Sequence, residues 1–306
     1  MQDIGFVGLG RMGGNMARRL RRAGFGVAGY NRREELTLEL ARDVGLEPTK
    51  SLEQLVEVLS RPRIVWLMVP AGQATQDSID RLSTLLAPND IVVDGGNSFY
   101  KDSMRRATQL AVRDIEFIDA GVSGGIWGLE NGYALMVGGK DAPLTRVTPF
   151  LKQLAPSPTS GWLHCGPSGS GHFVKMVHNG IEYGMMQALA EGMALMKGRA
   201  EFNLDLAAIA EMWRHGSVVR SWLLDLTADF LKSDQQLDSI APYVADSGEG
   251  RWTALEAIEQ GVPAPVISLA LMTRFASQGS ADFAARLLGM MRKGFGGHAV
   301  RSESGK

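Results

Sequence analysis

The segment Ile4-Gly5-Phe6-Val7-Gly8-Leu9-Gly10-Arg11-Met12-Gly13 decides the fold of the first half of the chain. Its first four residues predict a β-strand, and a G-x-G-x-x-G pattern then opens a run of helical character over residues 12–23. In that context Gly8 permits a tight turn, Gly10 lets the backbone approach a pyrophosphate, and Gly13 lets the helix pack closely on the strand. Free N–H groups at the start of the helix favour phosphate binding. The pattern predicts a dinucleotide-binding βαβ unit; the alternative is a glycine turn that holds no ligand.

Further along the chain, short apolar runs alternate with amphipathic helical stretches. The runs are residues 27–30, 64–69, 91–94, 115–119 and 134–137. Near-continuous apolar strands are typical of a parallel sheet with helices on both faces. After about residue 165 we find no convincing strand, and the pattern predicts helices over residues 172–199, 204–214, 221–232, 253–259, 266–277 and 281–291. The predicted fold is an α/β N-terminal Rossmann-type doubly wound sheet over residues 1–168, an all-α C-terminal domain over residues 169–292, and a tail over residues 293–306.

Composition narrows the class of protein. With 32 basic and 33 acidic residues the net charge is -1, so no global charge excess recruits nucleic acid or an anionic membrane. Cys165 is the only cysteine, which excludes an internal disulfide and favours a reducing compartment; we expect it to be buried at the end of a strand. The N terminus does not resemble a signal peptide, and the most apolar stretch, residues 181–196, is too short and too charged to span a bilayer. A cytoplasmic protein is expected.

The end of the second predicted strand bears on cofactor choice. NAD-binding folds usually place an acidic residue there to hold the ribose 2′-OH, but this chain has Asn31, Arg32 and Arg33. Guanidinium groups favour a 2′-phosphate by charge and by bidentate geometry. We therefore predict NADP in preference to NAD, the alternative being a solvated helix start. The predicted cofactor site comprises Gly8, Leu9, Gly10, Arg11, Met12, Gly13, Asn31, Arg32, Arg33, Val69 and Asn97.

A polar stripe interrupts the apolar helix predicted at residues 172–199. Lys175, His178, Asn179 and Glu182 follow the spacing i, i+3, i+4, i+7, which places them on one helix face. Polar groups on an apolar helix are costly unless they line a cavity or are fully paired. A lysine with apolar neighbours can be neutral near pH 7 and act as a general base, with the glutamate as general acid. The alternative is a structural salt bridge between Lys175 and Glu182.

Two glycine-rich segments, residues 93–98 and 120–125, follow the fourth and fifth strands. Ligands of doubly wound sheets bind outside the carboxyl ends of the strands. Asn97 and Ser123 can hydrogen-bond a hydroxylated substrate there, and the backbone N–H groups of Gly124 and Gly125 can hold a carboxylate. The alternative is two turns of purely structural use.

Taken in order, these motifs resemble those of the 6-phosphogluconate dehydrogenases, a family of the β-hydroxyacid dehydrogenase superfamily. The matching segments are residues 8–13, 31–32, 94–98, 121–125 and 175–183, and the run His-Asn-Gly-Ile-Glu-Tyr at 178–183 distinguishes this family from its relatives. Residues 248–253 are similar to the family's Gly-x-Gly-Lys-Trp-Thr, Arg274 to an arginine of its next helix, and residues 292–298 to its C-terminal Arg-x-x-Phe-Gly-x-His. The resemblance covers nearly the whole chain.

The resemblance implies a metal-free oxidoreductase of the pentose phosphate pathway, which converts 6-phosphogluconate into ribulose 5-phosphate and CO2 with hydride transfer to NAD(P)+. Lys175 would be the general base and Glu182 the general acid. The substrate carboxylate and hydroxyls would contact Asn97, Ser123, Gly124, Gly125, His178 and Asn179. Its phosphate would contact Tyr183, Arg251, Arg274 and Arg292, with Thr253 nearby and His298 near the sugar chain. In the family the tail reaches the partner's active site, which implies a homodimer or a dimer of dimers.

Some features depart from the common long form of the family. The chain is shorter and resembles the short type; Ile126 stands in place of a glutamate, and Arg251 in place of a lysine. The short type often uses NAD with an acidic residue after the second strand, which Asn31 and Arg32 do not match. Two alternatives stay open: another β-hydroxyacid dehydrogenase acting on a small non-phosphorylated 3-hydroxy acid, and a cofactor-binding regulator without catalysis.

Overall fold

A computed structural model of the protein describes residues 2–279 and 282–296. The chain forms two compact units, residues 1–177 and 178–306. The division falls inside one long helix. The start of that helix packs on the sheet of the first unit, because Gly171 has no side chain and lies against the carbonyl oxygens of Met136 and Asp119.

An eight-stranded sheet organises the first unit, in the order β3-β2-β1-β4-β5-β6-β7-β8. The order runs outward in both directions from β1 and β4, as in a doubly wound fold, so the predicted fold class is confirmed. The strands are β1 Asp3–Val7, β2 Gly26–Tyr30, β3 Glu47–Thr49, β4 Ile64–Leu67, β5 Ile91–Asp94, β6 Glu116–Ser123, β7 Ala134–Gly139 and β8 Trp162–Gly166.

The alternation of strands and helices predicted a parallel sheet, but the pair of β6 and β7 is antiparallel. β6 and β7 pair antiparallel, from Ile118 opposite Gly139 to Ser123 opposite Ala134. Their connection holds only a 3₁₀ turn, Gly125–Trp127, and one helical turn, Gly128–Asn131. A parallel crossover needs a dozen or more residues, so this short connection returns the chain in the opposite direction.

The outermost strand β3 was not predicted, and β8 was anticipated only as the strand expected to end at Cys165. Cys165 is the penultimate residue of β8 and is partly exposed, so its expected place at a strand end is confirmed and its expected burial is wrong. Strands at the edge of a sheet lack a neighbour on one side, and the residues of β8 are accordingly only partly covered.

Helices cover both faces of the sheet. Side chains of alternating strand residues enter two separate cores, so that Phe6 and Trp66 pack in one and Val7 and Leu67 in the other. Burial of both faces explains the continuous apolar runs in the sequence. The helices of this unit are α1 Arg11–Arg22, α2 Glu34–Val44, α3 Leu52–Val58, α4 Gln73–Leu85, α5 Tyr100–Ala111, α6 Gly128–Asn131 and α7 Asp141–Leu154.

The second unit is helical in all its regular structure, within the residues described, as predicted. The long helix α8, Ser170–Gly198, enters it from the first unit, and a 3₁₀ turn follows at Ala200–Phe202. Asp205 and Ser221 cap the next two helices by accepting the N–H groups of Ala208 and Leu224, which satisfies donors that a helix start leaves open. The remaining helices are α9 Leu206–Trp213, α10 Trp222–Ser233, α11 Glu249–Gln260, α12 Pro265–Ser277 and α13 Asp282–Gly296.

The predicted tail from residue 293 is wrong in its first four residues, which complete α13. Each residue added to an existing helix gains a hydrogen bond, and no proline interrupts this one. The rest of the tail, with His298, lies outside the described residues. None of the described helices has the length and apolar character needed to cross a membrane.

Candidate active site

The glycine turn between β1 and α1 has three different glycine environments. Gly8 has a φ of +92°, and a Cβ there would lie 2.4 Å from the carbonyl oxygen of Met68. A Cβ at Gly13 would lie 2.1 Å from the carbonyl oxygen of Gly8, whereas one at Gly10 would meet nothing within 4 Å. Gly8 is therefore required by its positive φ and by the close approach of Met68, and Gly13 by its packing on the Gly8 carbonyl. Gly10 leaves open space at the N terminus of α1, where a pyrophosphate fits.

A cleft of about 890 Å³ opens beside this turn, at the carboxyl ends of the strands. Of the predicted cofactor residues, the cleft is lined by Gly8, Gly10, Met12, Asn31, Arg32, Arg33, Val69 and Asn97. Leu9, Arg11 and Gly13 are not part of the lining. Leu9 is buried, and its N–H donates to Asn31 Oδ1 at 3.0 Å, so its contribution is to hold the turn against the end of β2.

Asn31 orients the predicted 2′-phosphate region. Besides accepting from Leu9, it donates from Nδ2 to the carbonyl oxygen of Arg33 at 3.0 Å. Arg32 and Arg33 are exposed at the cleft, and neither guanidinium forms an ion pair among the described residues. Asp77 also lines the cleft, where Gln73 donates to it at 2.7 Å. The end of β2 thus presents two cations that are available to an anionic ligand.

The loop after β5 is held by a buried carboxylate. Asp94 accepts the N–H of Gly96 at 3.1 Å, the hydroxyl of Ser98 at 2.8 Å, and Nη1 of Arg106 at 3.1 Å. Asp94 and Arg106 are fully buried, whereas Asn97 is exposed at the cleft. Sequence reasoning missed Arg106. Its only signal was its place on the buried side of α5, which sequence alone does not separate from that of exposed Arg105.

A second buried carboxylate fixes the start of the helix that carries Lys175. Asp119, on β6, accepts the N–H groups of Gly169 at 2.6 Å and His172 at 2.9 Å. A negative charge at a helix N terminus is stabilised by the helix dipole. His172 is itself buried, with Nδ1 2.7 Å from the hydroxyl of Ser103. Asp119, His172 and Ser103 were not predicted, because their partners lie far apart in the sequence.

Lys175 lies against strand β6 and is only 8% exposed. Gly121 allows this approach, since a Cβ there would lie 2.3 Å from the Cβ of Lys175. Ser123 ends β6, and Gly124 and Gly125 follow with φ values of +132° and +54°. Gly121 is followed directly by Val122, which lines the cleft. Within the first unit, the lysine and the cofactor cleft therefore meet the same segment of β6.

The other predicted polar residues follow on α8. His178 and Glu182 are both partly exposed, and His178 Nδ1 lies 3.1 Å from Asn179 Oδ1 and 3.9 Å from Glu182 Oε2. An i, i+4 spacing explains the proximity of His178 and Glu182. The three side chains form a half-exposed polar group on one face of the helix.

In the second unit, two of the predicted phosphate-binding arginines contact aromatic rings. The guanidinium of Arg274 lies 3.5 Å from the ring centre of Tyr183, and that of Arg251 lies 4.4 Å from the ring centre of Phe275. Cation–π contacts of this kind fix the plane of the guanidinium. Arg274 also donates to the carbonyl oxygen of Ala245 at 2.9 Å.

Asp246 is paired with Arg251, and the charge of Arg274 also acts on it. It accepts from Nε of Arg251 and, at 3.0 Å, from the N–H of Gly248. Burial raises the pKa of Asp246, but these hydrogen bonds and the charges of Arg251 and Arg274 outweigh burial, so the pKa lies below its ordinary value. The hydroxyl of Tyr183 lies 3.1 Å from that of Ser247.

Two further predicted phosphate-binding residues, Thr253 and Arg292, lie on α11 and α13. Thr253 is buried and donates to the carbonyl oxygen of Glu249 at 2.9 Å. Arg292 is exposed on α13 and takes part in none of the contacts described above.

Two known protein-family models match the chain, one over most of the first unit and one from the start of α8 onward. Residues 3–165 match the family described as the NAD binding domain of 6-phosphogluconate dehydrogenase, and residues 171–300 match the 6-phosphogluconate dehydrogenase C-terminal domain. An NAD(+)-dependent, decarboxylating 6-phosphogluconate dehydrogenase of Haloferax volcanii is 42% identical over 299 residues, which are 97% of this chain and 98% of that protein.

Solved structures show the same relationship. The 6-phosphogluconate dehydrogenase of Plasmodium falciparum has a TM-score of 0.84 and 32% identity, covering 99% of this chain and 67% of that one. The 3-hydroxyisobutyrate dehydrogenase of Mycobacterium tuberculosis shares the fold, with a TM-score of 0.72 at 22% identity over 92% and 94% of the two chains. The chain belongs to the 6-phosphogluconate dehydrogenase family and carries that family's NAD-binding domain.

Proposed function

We propose that this dehydrogenase oxidises and decarboxylates 6-phosphogluconate, giving ribulose 5-phosphate and CO2. The observation that carries the proposal is the position of Lys175, a buried lysine held against Gly121 next to the segment of β6 that lines the cofactor cleft. A buried lysine is costly in its charged form. A general base requires the neutral amine.

In the proposed mechanism, Lys175 accepts the proton of the C3 hydroxyl. A nicotinamide dinucleotide held in the cleft by residues such as Gly10 and Asn31 would supply the acceptor for the hydride that leaves C3. The Lys175 ammonium then donates to the C3 oxygen and stabilises the negative charge that develops there as CO2 leaves. Glu182, protonated, delivers a proton to the carbon that lost CO2, which is C2 of the substrate and becomes C1 of ribulose 5-phosphate. Asn97, Ser123, Gly124, Gly125, His178 and Asn179 are proposed to hold the carboxylate and hydroxyls of the substrate.

The residues of α8 are tested by substitution. Lys175→Ala and Glu182→Ala are each expected to lower kcat by on the order of 10² to 10⁴, the usual contribution of a positioned acid or base. Binding of NADP should persist in both variants. Near-parental kcat in both variants would exclude the assignment. A parent protein that binds NADP without turning over 6-phosphogluconate would favour the alternative of a cofactor-binding regulator without catalysis.

We propose that Arg251, Arg274 and Tyr183 bind the phosphate, with Thr253, Arg292 and His298 as further contacts inferred from the family. Two guanidiniums held by aromatic rings offer charge-assisted hydrogen bonds. Phosphorylated substrate should therefore be used with a kcat/KM at least about 10² above that of gluconate, the effect of a few kcal/mol. Equal values for the two substrates would favour a dehydrogenase of small 3-hydroxy acids.

For the cofactor we propose NADP in preference to NAD, on the strength of Arg32 and Arg33 at the cleft. The Haloferax relative carries NAD(+) in its name, so the two cofactors are to be compared directly in this protein. We expect a higher kcat/KM with NADP, and a loss of that preference in Arg32→Ala. A clear preference for NAD in the parent protein would refute the proposal.

A homodimer, or a dimer of dimers, is proposed as the working assembly in the cytoplasm, within the pentose phosphate pathway. Exposed apolar side chains in the second unit support association: Leu255, Ile258, Val266, Leu269, Phe283 and Leu288 are 58% or more exposed. Light scattering coupled to size-exclusion chromatography should give at least twice the 33.1 kDa chain mass. A monomer at micromolar concentration would contradict the proposal.

A further inference from the structure

Arg106, on helix α5, is a fully buried cation whose donors point to two different loops. Nη1 donates to Asp94 Oδ2 at 3.1 Å and to the hydroxyl of Ser98 at 3.2 Å. Nη2 donates to the carbonyl oxygen of Gly72 at 3.2 Å, and Nε donates to Gln76 Oε1 at 3.3 Å. Arginine is almost never fully buried unless it is paired, and all three guanidinium nitrogens have acceptors here.

The two loops that Arg106 joins both reach the cofactor cleft. Gly72 belongs to the connection from β4 to α4, whose residues Val69 and Pro70 line the cleft, and Gln76 lies in the first turn of α4. Asp94 and Ser98 flank the segment from β5 to α5, whose residues 95–97 line it as well. The buried guanidinium, which does not itself line the cleft, therefore connects two loops that would contact the same ligand.

Stability alone does not account for this arrangement. A buried ion pair contributes little net stability, because desolvation of both charges offsets their attraction, and apolar residues of similar volume often serve as well. What the pair does supply is geometry, since the planar guanidinium holds acceptors in fixed directions. Asp94 in turn holds the backbone on both sides of Asn97, through the Gly96 N–H and the Ser98 hydroxyl.

We propose that Arg106 is a positioning residue, which fixes the spacing of the β4 and β5 loops and thereby the place of Asn97 in the cleft. The link to the reaction rests on the proposed function, because Asn97 is there assigned to substrate and cofactor. The link to the cofactor requires only that the dinucleotide binds in this cleft.

The decisive variant is the double substitution Asp94→Asn with Arg106→Met. It removes both buried charges, and the asparagine keeps an oxygen to accept the Gly96 N–H. If the pair is only structural, the double variant should match the parent in thermal stability, in NADP dissociation constant and in kcat/KM. If Arg106 positions the loops, the melting temperature stays near parental while the NADP dissociation constant rises about tenfold and kcat/KM falls about 10²-fold, the effect of a displacement near 1 Å.

The matched control is Arg105→Met, the neighbouring residue on the same helix. Arg105 is exposed and donates to Gln76 and Asp102 at the surface, so all three quantities should stay parental. Arg106→Lys tests whether the planar guanidinium, with its donors in fixed directions, is needed, because a single ammonium cannot reach both loops. We expect this variant to keep the positive charge and to lose kcat/KM.

Further readouts separate this proposal from the proposed function. Inhibition by inorganic phosphate, which would bind at Arg251 and Arg274, should be unchanged in the double variant. If the parent protein does not turn over 6-phosphogluconate, the proposed function fails, while the NADP dissociation constants of parent and variant still decide the role of Arg106. If the double variant does not fold, Gln76→Ala removes the acceptor of Arg106 Nε at a partly exposed site, together with the contacts of Gln76 to Arg105, Asp80 and Gln109. A parental NADP dissociation constant in whichever of these two variants folds would overturn the proposal.

Discussion

Gly121→Ala is a minimal test of how the sheet places the proposed base. Gly121 is the point at which strand β6 touches helix α8, and an added Cβ would lie 2.3 Å from the Cβ of Lys175 and 3.0 Å from the carbonyl oxygen of Gly171. Neither atom belongs to the flexible end of a side chain. The strand and the helix would therefore have to separate.

The required separation follows from these distances. Two carbon atoms in contact prefer about 3.5–4.0 Å, so the Cβ atom of Lys175 must retreat by roughly 1.2–1.7 Å. Overpacking of this kind costs about 1–3 kcal/mol of unfolding free energy. A displacement near 1 Å at a reacting group costs about 10²-fold in rate. We expect kcat/KM with 6-phosphogluconate to fall by about 10² or more.

The assay pairs steady-state kinetics with urea unfolding and NADP titration. Gly121 does not line the cleft, so the dissociation constant of NADP should stay parental. Gly192→Ala is the matched control, since it makes the same substitution on α8 at a site where a Cβ meets nothing within 4 Å; it should leave kcat/KM unchanged. A parental kcat/KM in Gly121→Ala would refute the reasoning, because the lysine would then tolerate displacement.

Three further outcomes are expected. Gly10→Ala should weaken NADP binding without lowering the melting temperature, because its Cβ meets no protein atom, whereas Gly13→Ala, with a Cβ 2.1 Å from a carbonyl oxygen, should lower unfolding free energy by about 1–3 kcal/mol. Ser103→Ala removes the partner of the buried ring of His172, and urea unfolding should show a loss of about 1–3 kcal/mol. The pKa of Asp246 is lowered in the folded protein, so its stabilising contribution is present above the ordinary aspartate pKa of about 3.9 and is lost as pH falls through the lower folded value. The gap in unfolding free energy between parent and Asp246→Asn should accordingly shrink at acidic pH, and a gap that grew would contradict this.

The inner strands could be predicted from sequence because burial on both faces leaves a continuous apolar run, as at Ile64–Leu67 and Ile91–Asp94. The edge strand β3 contains Glu47 and Pro48, and only its last residue is buried. Such a segment carries no apolar pattern, so the strand exists because β2 offers it hydrogen-bonding partners. The antiparallel direction of β7 follows from the length of its connection, which strand patterns do not report.

Among the site residues, those with contacts in nearby sequence could be predicted, and those with contacts to distant segments could not. Gly8 and Gly13 could be predicted because the positive φ of Gly8 and the clash between a Cβ at Gly13 and the Gly8 carbonyl oxygen both arise within one turn of contiguous chain. Arg106 and Asp119 could not, since each acts through partners that only the fold brings near, such as Gly72 for Arg106 and His172 for Asp119. Their residue types are those of ordinary surface positions, and burial alone distinguishes them.

The buried carboxylates of Asp94 and Asp119 lie on neighbouring strands. Asp94 holds the loop that carries Asn97, and Asp119 holds the start of the helix that carries Lys175. Asp94 and Asp119 are register partners on parallel strands β5 and β6, so their side chains point to the same face of the sheet. Two adjacent buried anions would repel each other unless each were compensated. Asp94 is compensated by a full cation on α5, and Asp119 by two N–H groups at the start of α8. The hydrogen bond between Ser103 and His172 joins the same two helices. The loop that carries Asn97 and the helix that carries Lys175 are thus each fixed by one member of a pair of neighbouring strand residues, so a shift of β5 against β6 would displace Asn97 relative to Lys175.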